Sequence, residues 1–106
     1  MPVATVQEFD VEPGTRSTTN YDALAARLRD QGPPKGLIVH TAGFTPDDIF
    51  RVFAVWESAE DAQRFFGEVL MPMLQSLPAP SEGAGPPDRQ YVYPLHDLQR
   101  GSWRGR

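Results

Sequence analysis

Apolar and polar positions alternate from Val3 to Val11, which predicts a first strand. Val3, Thr5, Gln7 and Phe9 fall on one face, and Ala4, Val6 and Glu8 on the other. Pro13-Gly14 ends the strand, because proline withholds a ladder donor and glycine permits a turn. Beyond Ser17-Thr18-Thr19-Asn20 the period changes. Tyr21, Leu24, Ala25 and Leu28 recur at three- and four-residue steps, predicting a helix from Tyr21 to Arg29. Thr19 with Asp22 makes a capping box at its start, and Gln31-Gly32-Pro33-Pro34-Lys35-Gly36 stops it. Leu37 to Ala42 reads as a second strand, and Gly43 to Asp48 is turn chemistry, so the second and third strands form a hairpin.

The third strand, Ile49 to Trp56, is the densest apolar run, with Arg51 its one polar residue. That composition suits a central strand buried on both faces. Ser58 then caps a helix, with Asp61 placed to bond back to it and Glu60 and Asp61 at the positive end of the helix dipole. Ala62, Phe65, Phe66, Val69, Leu70, Met73, Leu74 and Leu77 form its apolar face. Pro72 cannot donate to Glu68 and clashes with that turn, so a kink or break is expected near Glu68–Pro72. Pro78 to Pro87 is a loop without periodicity, and Arg89 to Leu95 is a fourth strand that Pro94 places at an edge or at its own end. Gln99 to Arg106 reads as a disordered tail following a single domain over residues 1–98.

The resulting order, β-α-β-β-α-β, predicts an α+β, ferredoxin-like fold: a four-stranded antiparallel sheet with both helices on one face. The other face would carry Ala4, Val6, Val39 and Phe53. Such a face is too apolar to stay in water, so a homodimer with sheets face to face is expected.

Bulk properties narrow the function classes. The chain has 106 residues and a formal charge of −4, and beyond Asp97 only Arg100, Arg104 and Arg106 are charged. The body before that tail is therefore the more acidic part, which argues against a nucleic-acid partner, whose phosphates need clustered Lys and Arg. No apolar run is long enough to span a membrane, and the amino terminus lacks a secretory pattern, so a cytoplasmic protein with no membrane partner is expected. The absence of cysteine removes disulfides, thiolate metal sites and cysteine nucleophiles. No glycine-rich phosphate loop and no Gly-x-Ser-x-Gly elbow occur.

Among the remaining residues, His40 stands on a strand face with small and apolar neighbours, Ile38 and Ala42. A neutral imidazole in a dry cleft can take a proton from an acidic phenol or enol; the structural alternative is a half-buried histidine bonded to a backbone carbonyl. Trp56 can stack on an aromatic ligand or serve as core, its indole N–H meeting a carbonyl. Gln7 can orient a ligand carbonyl or pair with a neighbouring turn. Phe65, Phe66, Met71 and Met73 lie on the helix that would roof a cleft, where methionines adapt to varied ligands. His96-Asp97 points to opposite faces of an extended chain and reads as incidental, and no spacing demands a metal site. The Arg/Gly/Trp tail resembles short single-strand RNA-binding segments only in composition.

The element order, the strand exit Val55-Trp56-Glu57-Ser58, the aromatic pair on the following helix and the entry Gly36-Leu37-Ile38-Val39 together resemble the dimeric α+β barrel superfamily, most closely its antibiotic-biosynthesis-monooxygenase-like branch. The resemblance spans roughly residues 3 to 95. It implies a pocket between the sheet and its own helices, lined by Trp56, Val52, Phe66 and Met73, with Gln7 at the strand-one amide position. His40 matches the strand-two histidine of cofactor-independent oxygenases if the hairpin is longer here. Gln75 stands where heme degraders carry their iron ligand, and Val52 where the oxygenases carry asparagine. The resemblance thus implies an apolar, aromatic or polyketide-like ligand, no cofactor, and either oxygenase, isomerase or cyclase chemistry with His40 as base, or binding without catalysis.

Overall fold

The computed structural model describes residues 1–12, 14, 16–75, 87–99 and 101. The strands are β1 (Val3–Asp10), β2 (Leu37–Phe44), β3 (Ile49–Trp56) and β4 (Arg89–Pro94). They form one antiparallel sheet in the order β2-β3-β1-β4. Helix α1 (Thr19–Asp30) connects β1 to β2; α2 (Ala59–Phe65), a π-helical turn (Phe66–Leu70) and α3 (Met71–Gln75) follow β3. This is the α+β, ferredoxin-like arrangement the sequence predicts. The expected loop from Pro78, up to its last residue, and nearly all of the tail from Gln99 lie outside the described residues.

β3 begins and ends where its composition says it should, and it lies between β1 and β2 as a central strand. Burial on both faces is reached only at its C-terminal end, at Ala54, Val55 and Trp56, because Arg51 is exposed and Val52 and Phe53 are half-buried. β2 runs two residues further than expected, to Phe44. The hairpin turn is closed by the Thr45 N–H donating to the Ile49 carbonyl at 2.8 Å, with Asp48 at φ 61°. Arg16 fastens the chain before α1 to this turn, through Asp48 at 2.7 Å and the face of Phe44 at 5.3 Å.

The two helix starts differ. Ser58 caps α2 as expected, its Oγ accepting the Asp61 N–H at 3.1 Å. At α1 the capping position is Thr18, not Thr19, and the Thr18 side chain accepts no backbone N–H; its hydroxyl donates to the Asp22 carboxylate at 2.9 Å. The break expected at Glu68–Pro72 takes the form of the π turn. The Met71 N–H bonds the Phe66 carbonyl, one residue further back than in an α-helix, so the chain widens ahead of the proline instead of breaking.

Register assigns the faces. Val3, Thr5, Gln7 and Phe9 of β1 pair with Trp56, Ala54, Val52 and Phe50 of β3, and these residues face the helices. On the opposite face Val6 pairs with Phe53 and Tyr91, and Ala4 with Val55 and Tyr93. Ala4 and Val6 are already covered by these larger neighbours, while Val39, Tyr91 and Tyr93 remain 43%, 48% and 40% exposed. One end of that open face holds an ion network. The Glu8 carboxylate accepts from Arg51 Nε at 2.8 Å and Arg89 Nε at 2.7 Å, and Arg89 also pairs with Asp10. Hydrogen bonds from Arg89 and then Arg51 hold the Glu8 carboxyl below its ordinary pKa.

Candidate functional site

Between the helical layer and the sheet lies a partly open cavity of about 480 Å³, within the range of small-molecule sites. The side chains of the described residues therefore leave this space unfilled. Two aromatic groups bound it. At one end Trp56 packs on Phe65 at 5.3 Å and Phe66 at 6.2 Å, beside the core of Val3, Ala54 and Ala62. At the other, Phe50 meets Phe44 at 4.9 Å and the edge of Tyr21 at 5.2 Å. Successive inward residues of β3, at steps of about 6.7 Å, carry the floor from Val52 through Ala54 to Trp56.

Trp56 is 2% exposed, and its indole N–H donates to the Thr5 hydroxyl at 3.1 Å, not to the carbonyl expected. The indole is thus both core and cavity wall, held in one orientation by a hydrogen bond across the β1–β3 pair. Gln7, half-buried beside Val52, faces the cavity, and its amide has no protein partner among the described residues. An amide so placed needs hydrogen bonds from outside the chain.

His40 reaches the same cavity through a bulge. Leu37 pairs with Trp56 and Val39 with Val55, so Ile38 is an extra residue in β2. Without it, Leu37 and His40 would face opposite sides of the sheet; with it, both line the cavity. Ile38 is accordingly not a same-face neighbour of His40, as simple alternation suggests, whereas Ala42 is. The imidazole lies nearly parallel to the Tyr21 ring, 7° apart in plane and 6.4 Å between centroids. His40 keeps an exposed surface, yet the protein atoms crowding it desolvate the ring and hold its pKa below the ordinary value. Its ring nitrogens have no hydrogen-bond partner among the described residues.

The structure thus brings His40, Gln7, Val52, Trp56 and Phe66 around one space. Met73 is not among them. It lies in a shallower depression with Arg27, Glu68 and Pro72, because the π turn rotates the helix beyond Leu70 away from the cavity. Pattern reading placed Tyr21 in the helix stripe without assigning it to the site; the structure sets it against His40, with burial and the nearby Asp22 carboxylate raising its pKa, so the phenol stays protonated near neutrality. Arg29, which pattern reading left unassigned, also lines the cavity. Their signal was the stripe of α1 itself, since Leu24, Ala25 and Leu28 face the same space. No group of three metal-ligating side chains converges among the described residues, and His96 and Asp97 are both exposed beyond β4.

No family model matches this chain, and no curated protein sequence does. Solved structures do. The heme-degrading protein Rv3592 of Mycobacterium tuberculosis is 17% identical, with 95% of this chain and 100% of that one covered at a TM-score of 0.59. SnoaB, a cofactor-independent oxygenase from Streptomyces nogalater, is 16% identical over 92% of this chain and 95% of its own, at 0.61. A structure described as an antibiotic biosynthesis monooxygenase, from Chloroflexus aurantiacus, is 17% identical over 95% of this chain and 100% of its own, at 0.58. In fold, the chain resembles the antibiotic-biosynthesis-monooxygenase-like proteins.

Proposed function

We propose that this protein binds an apolar, aromatic or polyketide-like molecule in the cavity under its helices and acts on it as a cofactor-independent oxygenase, with an isomerase or cyclase as the related chemistry. The observation that carries the reading is a largely apolar cavity in which two of the polar side chains, Gln7 and His40, have no hydrogen-bond partner among the described residues. The fold shared with SnoaB supports oxygenase chemistry over other uses of such a cavity.

In this reading the neutral His40 imidazole takes a proton from an acidic phenol or from the carbon between two rings of an anthrone. The electron-rich anion that remains reduces molecular oxygen and combines with it to give a hydroperoxide. Loss of water from that hydroperoxide leaves the quinone, one oxygen atom in the product and one in water. Trp56 and Phe66 hold the rings by stacking, Val52 forms the floor, and Gln7 orients a carbonyl. Desolvation of His40 keeps it in the base form at neutral pH.

The homodimer belongs to the same reading. Val39, Tyr91 and Tyr93 leave the open sheet face apolar, and the Glu8–Arg51–Arg89 network gives one end of it fixed charges that set the register of a second copy.

One observation favours binding without catalysis: no carboxylate or carbonyl orients His40 among the described residues, as a general base ordinarily requires. Quinone formation from 1,8-dihydroxyanthrone, followed by absorbance against the spontaneous reaction, separates the two readings. Turnover in the wild type that His40→Ala reduces by about a hundredfold, the scale of general-base catalysis, is the expected result. Equal turnover in both proteins removes His40 from the mechanism, and a ligand copurified from the native host without turnover supports binding alone.

A further inference from the structure

The cavity's charges are arranged along α1. Of the described residues lining it, Arg29 is the only one with a permanent positive charge and Asp22 the only carboxylate. They stand seven positions apart, two helical turns, so they lie on one face of the helix about 10 Å apart. Asp22 is engaged by the Thr18 hydroxyl at 2.9 Å. Arg29 has no ion pair or hydrogen bond from its side chain among the described residues, unlike Arg16, Arg51, Arg64 and Arg89, each of which holds a carboxylate. A guanidinium left unpaired on the rim of an apolar cavity, in an acidic chain, is available to a ligand anion.

Its place in the fold gives it a direction. Arg29 belongs to the last turn of α1, which runs through Gly32 and Pro34 into the start of β2, where the Leu37 N–H bonds the Pro34 carbonyl at 3.2 Å. Leu37 pairs with Trp56, so this is the Trp56 end of the cavity. Tyr21 and Asp22, at the first turn of α1, stand at the Phe50 end, with His40 beside Tyr21. A cation in the last turn also complements the helix dipole. Arg27 in the same turn serves that purpose while facing the other depression, so the dipole does not explain why Arg29 lines the cavity.

We propose that Arg29 is the anion-binding residue of this site: the ligand is an aromatic molecule bearing a carboxylate, which Arg29 holds at the Trp56 end while the uncharged ring lies at His40 and Tyr21. Asp22 at the opposite end repels the reversed orientation. The proposal rests on the cavity reading above and adds the charge and the orientation of the ligand.

Isothermal titration calorimetry of the full chain with anthraquinone-2-carboxylate and its neutral carboxamide tests it. The wild type binds the carboxylate about tenfold more tightly at low salt, the scale of one charge-assisted hydrogen bond. Arg29→Gln brings that ratio to within about twofold of unity, and Arg29→Lys retains part of it, because an ammonium keeps the charge without the planar fork. Arg27→Gln, the same charge change on the neighbouring face, leaves the ratio as in the wild type. Equal binding of the two probes by the wild type overturns the proposal while the cavity reading stands. So does a preference that survives Arg29→Gln or disappears equally in Arg27→Gln. Failure of the wild type to bind either probe overturns the cavity reading and the proposal together.

Discussion

At position 40 an imidazole stands between solvent and a mostly hydrocarbon cavity, and its desolvation has a measurable sign. Its folded pKa lies below the ordinary 6.5. Between those two values the unfolded chain binds more protons than the folded one, so stability rises with pH across that window. The contribution is complete above about 6.5 and is lost as pH falls through the folded value. An NMR titration of the His40 ring protons should give a midpoint under 6.5, and His40→Gln should flatten the stability slope on the acid side of neutrality. A midpoint at or above the ordinary value would mean the ring is not desolvated, and its availability as a base at mildly acidic pH would go with it. Gln7 and Trp56 show the contrast at the same scale: the indole N–H is satisfied by Thr5, whereas the Gln7 amide has no hydrogen-bond partner among the described residues.

At the scale of elements, two junctions position the cavity. One is the turn before β2, where Gly36 has φ +84° and its carbonyl accepts the Glu57 N–H at 2.8 Å. A Cβ there would lie 2.3 Å from the Asp61 carboxylate and 2.6 Å from the Asp61 Cβ, so the first turn of α2 presses directly on the start of β2. Gly36→Ala should therefore cost about 1–3 kcal/mol from backbone strain alone, more once Asp61 is displaced from its bonds to Ser58 and Arg64. Urea denaturation checks it, and an unchanged midpoint would show that the junction yields freely. The other junction is the π turn. Phe66 and Leu70 on it face the cavity and Met73 beyond it does not, so Pro72 helps determine which side chains line that space.

For the whole molecule, the two faces of the sheet have opposite needs. One is roofed by the chain's own helices; the other presents Val39, Phe53, Tyr91 and Tyr93 with no helix among the described residues above them. The proposed second copy predicts a sedimenting mass of twice the 11.8 kDa of one chain at micromolar concentration. Phe53→Arg, placing an unpaired charge in the middle of that face, should yield monomer, because burying it without a partner outweighs the remaining contacts. A wild type that is already monomeric would remove the dimer from the functional reading.

Local chemistry made much of this legible in the chain. β3 could be bounded to the residue by its β-branched and aromatic run, Ser58 with Asp61 marked the start of α2, Pro72 announced a disturbed helix, and alternation in β1 put Gln7 on the face that meets the helices. These signals depend on neighbours within a few residues, which is the range over which periodicity and capping act. Folding in three dimensions settled the rest. The Ile38 bulge arises from pairing with β3, the π turn moved Met73 out of the cavity, and the distance between α1 and the sheet decided that Tyr21 and Arg29 line a space instead of filling it. Glu8 meets Arg89 across 81 positions of sequence. A spacing pattern cannot encode such a meeting, because it exists only once register has brought β1 beside both of its partners.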